Sequence, residues 1–312
     1  MVHPEDRLNS TFRTKWGTYA YQKMPFGLIN AGETFQREMD IDFRGLINKS
    51  MVVYLDDITI YSKKINDHYH DLKQILEHCL KYGNSLNEKT SYFSLSEGNF
   101  LGFIVSKEEI CIDLERIKEI SKISPPHNKK SMQPFLGQIN FVRRFFPNFS
   151  QIVLPFQAMI KKNSLFKWGH NEREYFDLIK QAIVNAPSLN TPFFSNNFLL
   201  YSFASETSYV VVLTQVNDQK IEAPISFFSS NLQGVELNYS KVEKQAFAIY
   251  KYLKHFKIFL LKTRTKVIVP FPTIRQLFMQ KELGEKRTNW DTSLQEYDID
   301  MKLAKIVRGQ GL

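Results

Sequence analysis

Met51-Val-Val-Tyr-Leu-Asp-Asp-Ile-Thr-Ile-Tyr-Ser62 is the stretch on which the fold of this chain turns. Residues 51–55 and 58–61 are rich in β-branched and aromatic side chains, so each arm predicts a strand. Between the arms, Asp56 and Asp57 put two carboxylates where a hairpin turns over. Asp is a common turn residue, and a polar turn would account for the pair on its own. The same pair suits divalent cations in phosphoryl transfer, where two metals bridge the attacking and leaving oxygens. Successive side chains of a strand alternate faces, so one of the two carboxylates is expected to dominate metal binding.

The 312 residues suffice for two or three compact units, and the ordinary apolar content is that of a globular chain. No uninterrupted apolar stretch has the length of a membrane span, and the N-terminus lacks a secretory pattern, so an intracellular location in cytoplasm or nucleus is expected. Cys79 and Cys111 are the only cysteines, which excludes a disulfide framework and a zinc ribbon. His68, His70, His78 and Cys79 fit no zinc spacing, and a solvated helix face explains them. The formal charge of +9 is uneven: residues 114–162 hold nine lysines and arginines against two acids. Clustered bases attract a phosphate backbone by releasing its counterions. The interleaved Phe135, Phe141, Phe145, Phe146 and Phe149 are expected mostly in the core, with the bases facing phosphate.

Along the chain, residues 11–22 predict a short extended pair around Gly17 and residues 29–46 a helix with Asn30 near its cap. A helix is expected over 65–82, ended by Gly83, then strands at 90–95 and 100–105. Ser124-Pro-Pro126 marks a boundary before helices at 130–145 and 150–161, and Pro134 should delay or kink the first of these. A helix over 171–186 follows. From Phe198 the pattern changes to strands at 198–203, 208–216 and 221–229, a helix over 240–257, a strand at 265–269 and further helices.

Other segments join the hairpin in a fixed order: Thr11-Phe-Arg-Thr14, Met24-Pro-Phe-Gly-Leu28, Thr34-Phe-Gln36, Leu86-Asn-Glu-Lys89, Phe100-Leu-Gly-Phe-Ile-Val-Ser106 and Phe135-Leu-Gly-Gln-Ile-Asn-Phe-Val-Arg-Arg-Phe145. The series resembles the reverse transcriptase of long-terminal-repeat retrotransposons of the Ty3/gypsy type. Pro224-Ile-Ser-Phe-Phe-Ser229, Asn238-Tyr239, Glu243-Lys-Gln245 and Glu296-Tyr-Asp-Ile299 resemble the ribonuclease H-like part of the same polyprotein, in a plant-like lineage whose first ribonuclease H domain is degenerate. The resemblance covers nearly the whole chain. It implies an α+β multidomain protein: a partial reverse-transcriptase palm over 1–113, a helical thumb with linker helices over 114–190, and a ribonuclease H-like α/β domain of connection type over 191–312.

The resemblance also assigns roles. Asp56 becomes the main metal carboxylate and Asp57 a secondary one, with magnesium as the family's cofactor. Pro25, Phe26, Gly27, Gln36 and Tyr54 would touch template and incoming nucleotide, although Pro-Phe-Gly also makes an ordinary turn before a helix. Gly32-Glu33 departs from the family's small residues and adds negative charge there. Leu101 and Gly102 would grip the primer end, and Lys129, Lys130, Arg143 and Arg144 the nucleic-acid backbone. The family's first catalytic Asp lies on a strand upstream of Thr11, where this chain has only ten residues, so an incomplete metal site is expected.

In the ribonuclease H-like part, the acidic positions fall on Phe203, Gln245 (Glu243 after a two-residue shift) and Pro270. Phe and Pro cannot ligate a cation, so strand cleavage is not expected. The implied partners are RNA/DNA primer-template and deoxynucleotides, not a membrane. The expected function is that of an RNA-directed DNA polymerase fragment, inactive alone. The alternatives are a non-catalytic nucleic-acid-binding protein and a decayed remnant of the element.

Overall fold

The computed structural model describes residues 2–304 apart from 26, 163, 218, 262 and 275–294. It divides into two compact units, residues 1–95 and 96–312.

In the first unit, β1 (Thr11–Thr14) and β2 (Gly17–Ala20) form the expected antiparallel pair. Helix α1 (Ala31–Asp42) leads into the hairpin β3 (Met51–Tyr54) and β4 (Asp57–Ile60), and α2 (His68–Tyr82) follows. Gly83 ends α2 in the left-handed region at φ +73°. The core joins Met39 and Phe43 to Met51 and Val53 of the hairpin and to Ile75 and Cys79 of α2. Strand alternation explains the hairpin's share: Met51 and Val53 face inward, whereas Tyr54 is exposed.

The second unit opens with β5 (Glu97–Phe100), β6 (Phe103–Ser106) and β7 (Glu109–Ile112). The strand expected at 90–95 does not form; residues 88–90 make a 3-10 turn instead. The run expected as one strand at 100–105 is broken by a turn at Leu101 and Gly102, both at positive φ. That turn makes a hairpin of β5 and β6, with Phe100 opposite Phe103. Helix α3 (Leu114–Lys122) was not anticipated; Asp113 caps it by accepting the Glu115 N–H at 3.1 Å.

Three further helices are α4 (Lys129–Phe141), α5 (Phe149–Ile160) and α6 (His170–Val184), before β8 (Leu189–Asn190) returns to pair with β7. Pro134 does not delay α4, which starts five residues earlier. The physical reason is the capping box at its start: Asn128 accepts the Ser131 N–H at 2.8 Å, and the Ser131 hydroxyl accepts the Asn128 N–H at 3.2 Å. Burial of Met132, Phe135 and Ile139 on one face then offsets the backbone hydrogen bond the proline cannot make. Phe135, Phe145, Phe146 and Phe149 do lie in the core, whereas Phe141 stays partly exposed.

The last elements are β9 (Phe198–Ala204), β10 (Ser208–Val216), β11 (Glu222–Asn231), α7 (Lys241–His255), β12 (Thr265–Val269) and β13 (Ile299–Leu303). They form a sheet in the order β11-β10-β9-β12-β13, antiparallel from β11 to β9 and parallel from β9 to β13. Helix α7 covers it with Ala246, Ile249, Tyr252 and Leu253, a helical spacing that makes one buried face. Strand β13 lies where only helices were expected. No described helix is long and apolar enough to cross a membrane.

Candidate functional site

The β3–β4 hairpin turns at Leu55 and Asp56, with Tyr54 paired to Asp57 across the ladder. Tyr54, Asp56 and Asp57 are all exposed, so both carboxylates reach solvent at the hairpin tip. Leu55 sits at φ +50°, a left-handed conformation that costs a side-chain-bearing residue of order 1–3 kcal/mol. Gln36 of α1 holds it there. Its Oε1 accepts the Leu55 N–H at 2.9 Å, while its Nε2 reaches Asp40 Oδ1 at 3.3 Å and Val53 O at 3.5 Å. Gly32, one turn earlier, lets α1 pass close: a Cβ there would lie 3.3 Å from Leu55 Cδ2.

Gln36, expected at nucleotide or template, lines the groove beside the tip and has its amide hydrogen-bonded to the carboxylate hairpin. Gln36→Leu is expected to cost about 1 kcal/mol and to speed exchange of the Leu55 amide specifically. Unchanged exchange at Leu55 would show that the turn keeps its shape without Gln36.

Beside the tip runs a groove of about 500 Å³ lined by Gly32, Glu33, Gln36, Arg37, Tyr54 and Leu55, among others. Glu33 thus contributes its negative charge to this wall, opposite in sign to Arg37. Pro25 is half-buried, and Gly27 occupies an exposed turn at φ +92°. Phe26 lies outside the described residues.

Two carboxylates at one tip can anchor a cation, but a two-metal centre needs a further donor to close the clamp. Among the described residues no three His, Cys, Asp or Glu side chains gather into a metal-binding group. The donor set therefore does not fit a complete two-metal centre. Around α2, Ser62 donates to Asp71 at 2.5 Å and lies 3.2 Å from His68 Nδ1, and His78 Nδ1 lies 2.9 Å from the Asp42 carbonyl. Burial pushes the Cys79 thiol pKa up.

In the second unit, Leu101 and Gly102 form the tip of the β5–β6 hairpin at φ +54° and +79°, the pattern of a type I′ turn. The four basic residues expected at nucleic acid are placed differently from one another. Lys130 is exposed, and Lys129 donates to the Lys161 carbonyl at 2.8 Å. Arg143 lies 5.1 Å above the Phe228 ring, and Arg144 lies 5.3 Å from Phe103 and 5.6 Å from Phe145. Burial lowers the pKa of both guanidinium groups, which stay charged at neutral pH.

In the ribonuclease H-like part, β9 and β12 run parallel with Tyr201 opposite Ile268. Phe203 and Pro270 each lie two residues beyond that last pair. Phe203 is 44 % exposed, whereas Gln245 is 2 % exposed and donates its amide to the Ser202 carbonyl. The alternative acid, Glu243, accepts the Ser240 N–H at 2.9 Å in the capping box of α7.

Sequence reasoning missed Lys244. Its buried ammonium donates to Glu206 Oε2 at 2.8 Å and to the Glu206 carbonyl at 3.0 Å. That contact holds the Glu206 carboxyl below its usual range. Nothing in the local sequence at Glu206 or Lys244 signals this pairing, because the two lie 38 positions apart.

Comparison with known proteins agrees with this geometry. Residues 3–105 match the family of reverse transcriptases (RNA-dependent DNA polymerases), and residues 168–268 match the RNase H-like domain found in reverse transcriptase. The chain is 34 % identical over 305 residues to a retrovirus-related Pol polyprotein from transposon 297 of Drosophila melanogaster, covering 96 % of this chain and 28 % of that one. It is 29 % identical to the transposon Tf2-3 polyprotein of Schizosaccharomyces pombe, covering 96 % of this chain and 23 % of that one. The chain thus spans about a quarter of the length of these relatives.

Among solved structures, a foamy viral protease-reverse transcriptase in complex with double-stranded DNA matches 98 % of this chain and 54 % of that one, with a TM-score of 0.80 at 21 % identity. Another structure of a foamy viral protease-reverse transcriptase, in complex with RNA/DNA hybrid, matches 99 % of this chain and 42 % of that one, with a TM-score of 0.76 at 22 % identity. These structures agree in fold with a reverse-transcriptase palm and thumb followed by an RNase H-like domain. The chain thus carries a reverse transcriptase domain over residues 3–105 and an RNase H-like domain over residues 168–268, and its homologues are Pol polyproteins of transposons.

Proposed function

We propose that this chain holds primer-template nucleic acid as part of a Ty3/gypsy-type RNA-directed DNA polymerase and does not extend primers by itself. The observation that carries this reading is the exposed Asp56–Asp57 tip, braced by Gln36 beside an open groove. Asp56 is its main cation anchor, magnesium the cation and deoxynucleotides the ancestral substrate. The residues here orient one edge of that site.

The proposed division is a palm over 1–113, a thumb over 114–190 and a connection-type domain over 191–312. Pro25, Gly27 and Tyr54 are its nucleotide or template contacts, Leu101 and Gly102 its primer contact, and Lys129, Lys130, Arg143 and Arg144 its backbone contacts. An intracellular setting suits that role. In the connection-type domain, Phe203 and Pro270 offer no ligand atoms and Gln245 is committed to a backbone carbonyl, which favours a structural role over strand cleavage.

The test incubates the purified chain with an RNA/DNA primer-template, magnesium and deoxynucleotides. Salt-sensitive binding without extension and without hybrid cleavage is expected. Robust extension abolished by Asp56→Asn would overturn the inactivity, and hybrid cleavage would overturn the connection role. A second reading is a nucleic-acid-binding protein that makes no use of the carboxylates, favoured by the exposed lysines of α3 and α4. It predicts binding that Asp56→Asn leaves unchanged with and without magnesium.

A further inference from the structure

Arg116, in the first turn of α3, meets the tip of the β5–β6 hairpin. A Cβ built on Gly102 would lie 2.6 Å from its Nη1 and 3.1 Å from its Cδ, so a side chain at 102 would have to displace the arginine from this turn. The guanidinium lies 4.2 Å from the centroid of Phe141, which itself stacks on Phe103 at 4.6 Å and 10°. Its long axis is therefore fixed from two sides, by the turn backbone and by an aromatic face.

The acids nearby do not absorb the charge. Asp113 Oδ1 accepts the Glu115 N–H at 3.1 Å, and Asp113 Oδ2 accepts from Asn99 Nδ2 at 2.6 Å. Asn99 Oδ1 in turn accepts the Gly102 N–H at 3.1 Å, and the Gly102 carbonyl accepts the Asp113 N–H at 3.2 Å. The tip is thus tied to α3 by a closed set of hydrogen bonds that leaves Arg116 out. Arg116 makes no ion pair among the described residues, and its Nε is buried without a partner. An oriented planar cation with donors to spare is suited to a phosphate oxygen.

We propose that Arg116 binds a backbone phosphate of nucleic acid at the tip of the β5–β6 hairpin. The inference rests on the reading of this chain as a primer-template binder, and it adds a residue that the basic cluster of α4 and its following turn does not include. The ligand is the phosphodiester itself, so the contact is indifferent to base sequence.

The test measures affinity of the full chain for a fluorescent RNA/DNA duplex between 50 and 300 mM salt (about the range over which counterion release dominates). Arg116→Gln, which removes the charge and leaves a shorter polar amide, is expected to weaken binding about five- to tenfold near 0.15 M salt and to lower the log–log salt slope by about one. Arg116→Lys is expected to restore most of the slope, since the charge returns. Thermal melts of both variants check the fold, and Arg116→Lys remains informative if Arg116→Gln does not fold.

Affinity lost with an unchanged slope would mean that Arg116 only shapes the turn, and would overturn the proposal while leaving the primer-template reading intact. No duplex binding by the unmodified chain would overturn both. A slope restored by lysine is the supporting result.

Discussion

Reversing the charge of Lys129 and Lys130 together, as Lys129→Glu/Lys130→Glu, is expected to weaken RNA/DNA duplex binding roughly 30-fold or more near 0.15 M salt. The estimate follows from losing two phosphate contacts, each worth about 0.9 in the log–log salt slope, so the slope should fall by about two. The structure makes this pair a cleaner probe than Arg143 and Arg144. Lys130 is exposed, and the Lys129 ammonium donates to a carbonyl and makes no ion pair among the described residues.

Lys129 and Lys130 are also the first two residues of α4, where a carboxylate meets the positive end of the helix dipole. The Asn128–Ser131 capping box is untouched by the change. Stability should hold or rise slightly while binding falls, and a melt beside the titration separates the two. Unchanged affinity and slope would remove this helix start from the nucleic-acid surface. Arg144→Ala, by contrast, should affect both readouts, because its guanidinium also packs on Phe103 and Phe145.

Phe156→Ala is expected to cost about 3–5 kcal/mol of folding stability, the largest effect of any single substitution considered for this chain. Phe156 is fully buried on α5. It meets Phe135 of α4 edge-on at 6.1 Å and 86° and stacks on Trp168 at 5.8 Å and 28°. Truncation removes the transfer term and leaves a cavity whose rigid aromatic walls collapse poorly. Phe156→Leu should recover more than half of the loss, because most of the volume returns. Urea melts of the full chain measure both. A cost under about 1 kcal/mol for the alanine variant would mean that α4, α5 and α6 are not packed through this ring.

Much of the fold could be read from local pattern. The hairpin at Asp56, the helix ended by Gly83 and the order of β9, β10, β11, α7 and β12 all follow from alternation, helical spacing and turn residues within a few positions. The misreadings also have local causes. The strand expected at 100–105 was split because Leu101 joins Gly102 at positive φ, a conformation that a leucine does not announce. Helix α3 is short, nine residues with a single fully buried one, Ile120.

The candidate site was legible in part. Its residue types and order placed a turn at Asp56 and Asp57, and the structure adds one at Leu101 and Gly102, but the partners that shape those turns were not visible. Gln36 acts on a backbone N–H 19 positions away, and Arg143 meets a ring 85 positions away.

The sequence by itself determined that this chain carries the Asp56–Asp57 hairpin within a reverse-transcriptase pattern and, further along, a ribonuclease H-like pattern. Those features depend on residue identity and short spacing, which survive without coordinates. Tertiary structure alone decided which polar groups are already engaged. Gln36 is hydrogen-bonded to the Leu55 turn and Gln245 to a strand carbonyl, Arg116, Arg143 and Arg144 all lie over rings, and Arg116 at the β5–β6 hairpin makes no ion pair among the described residues. The physical reason is that a cation or amide is available to a ligand only when no neighbour in space has claimed it, and such neighbours come from distant parts of the chain.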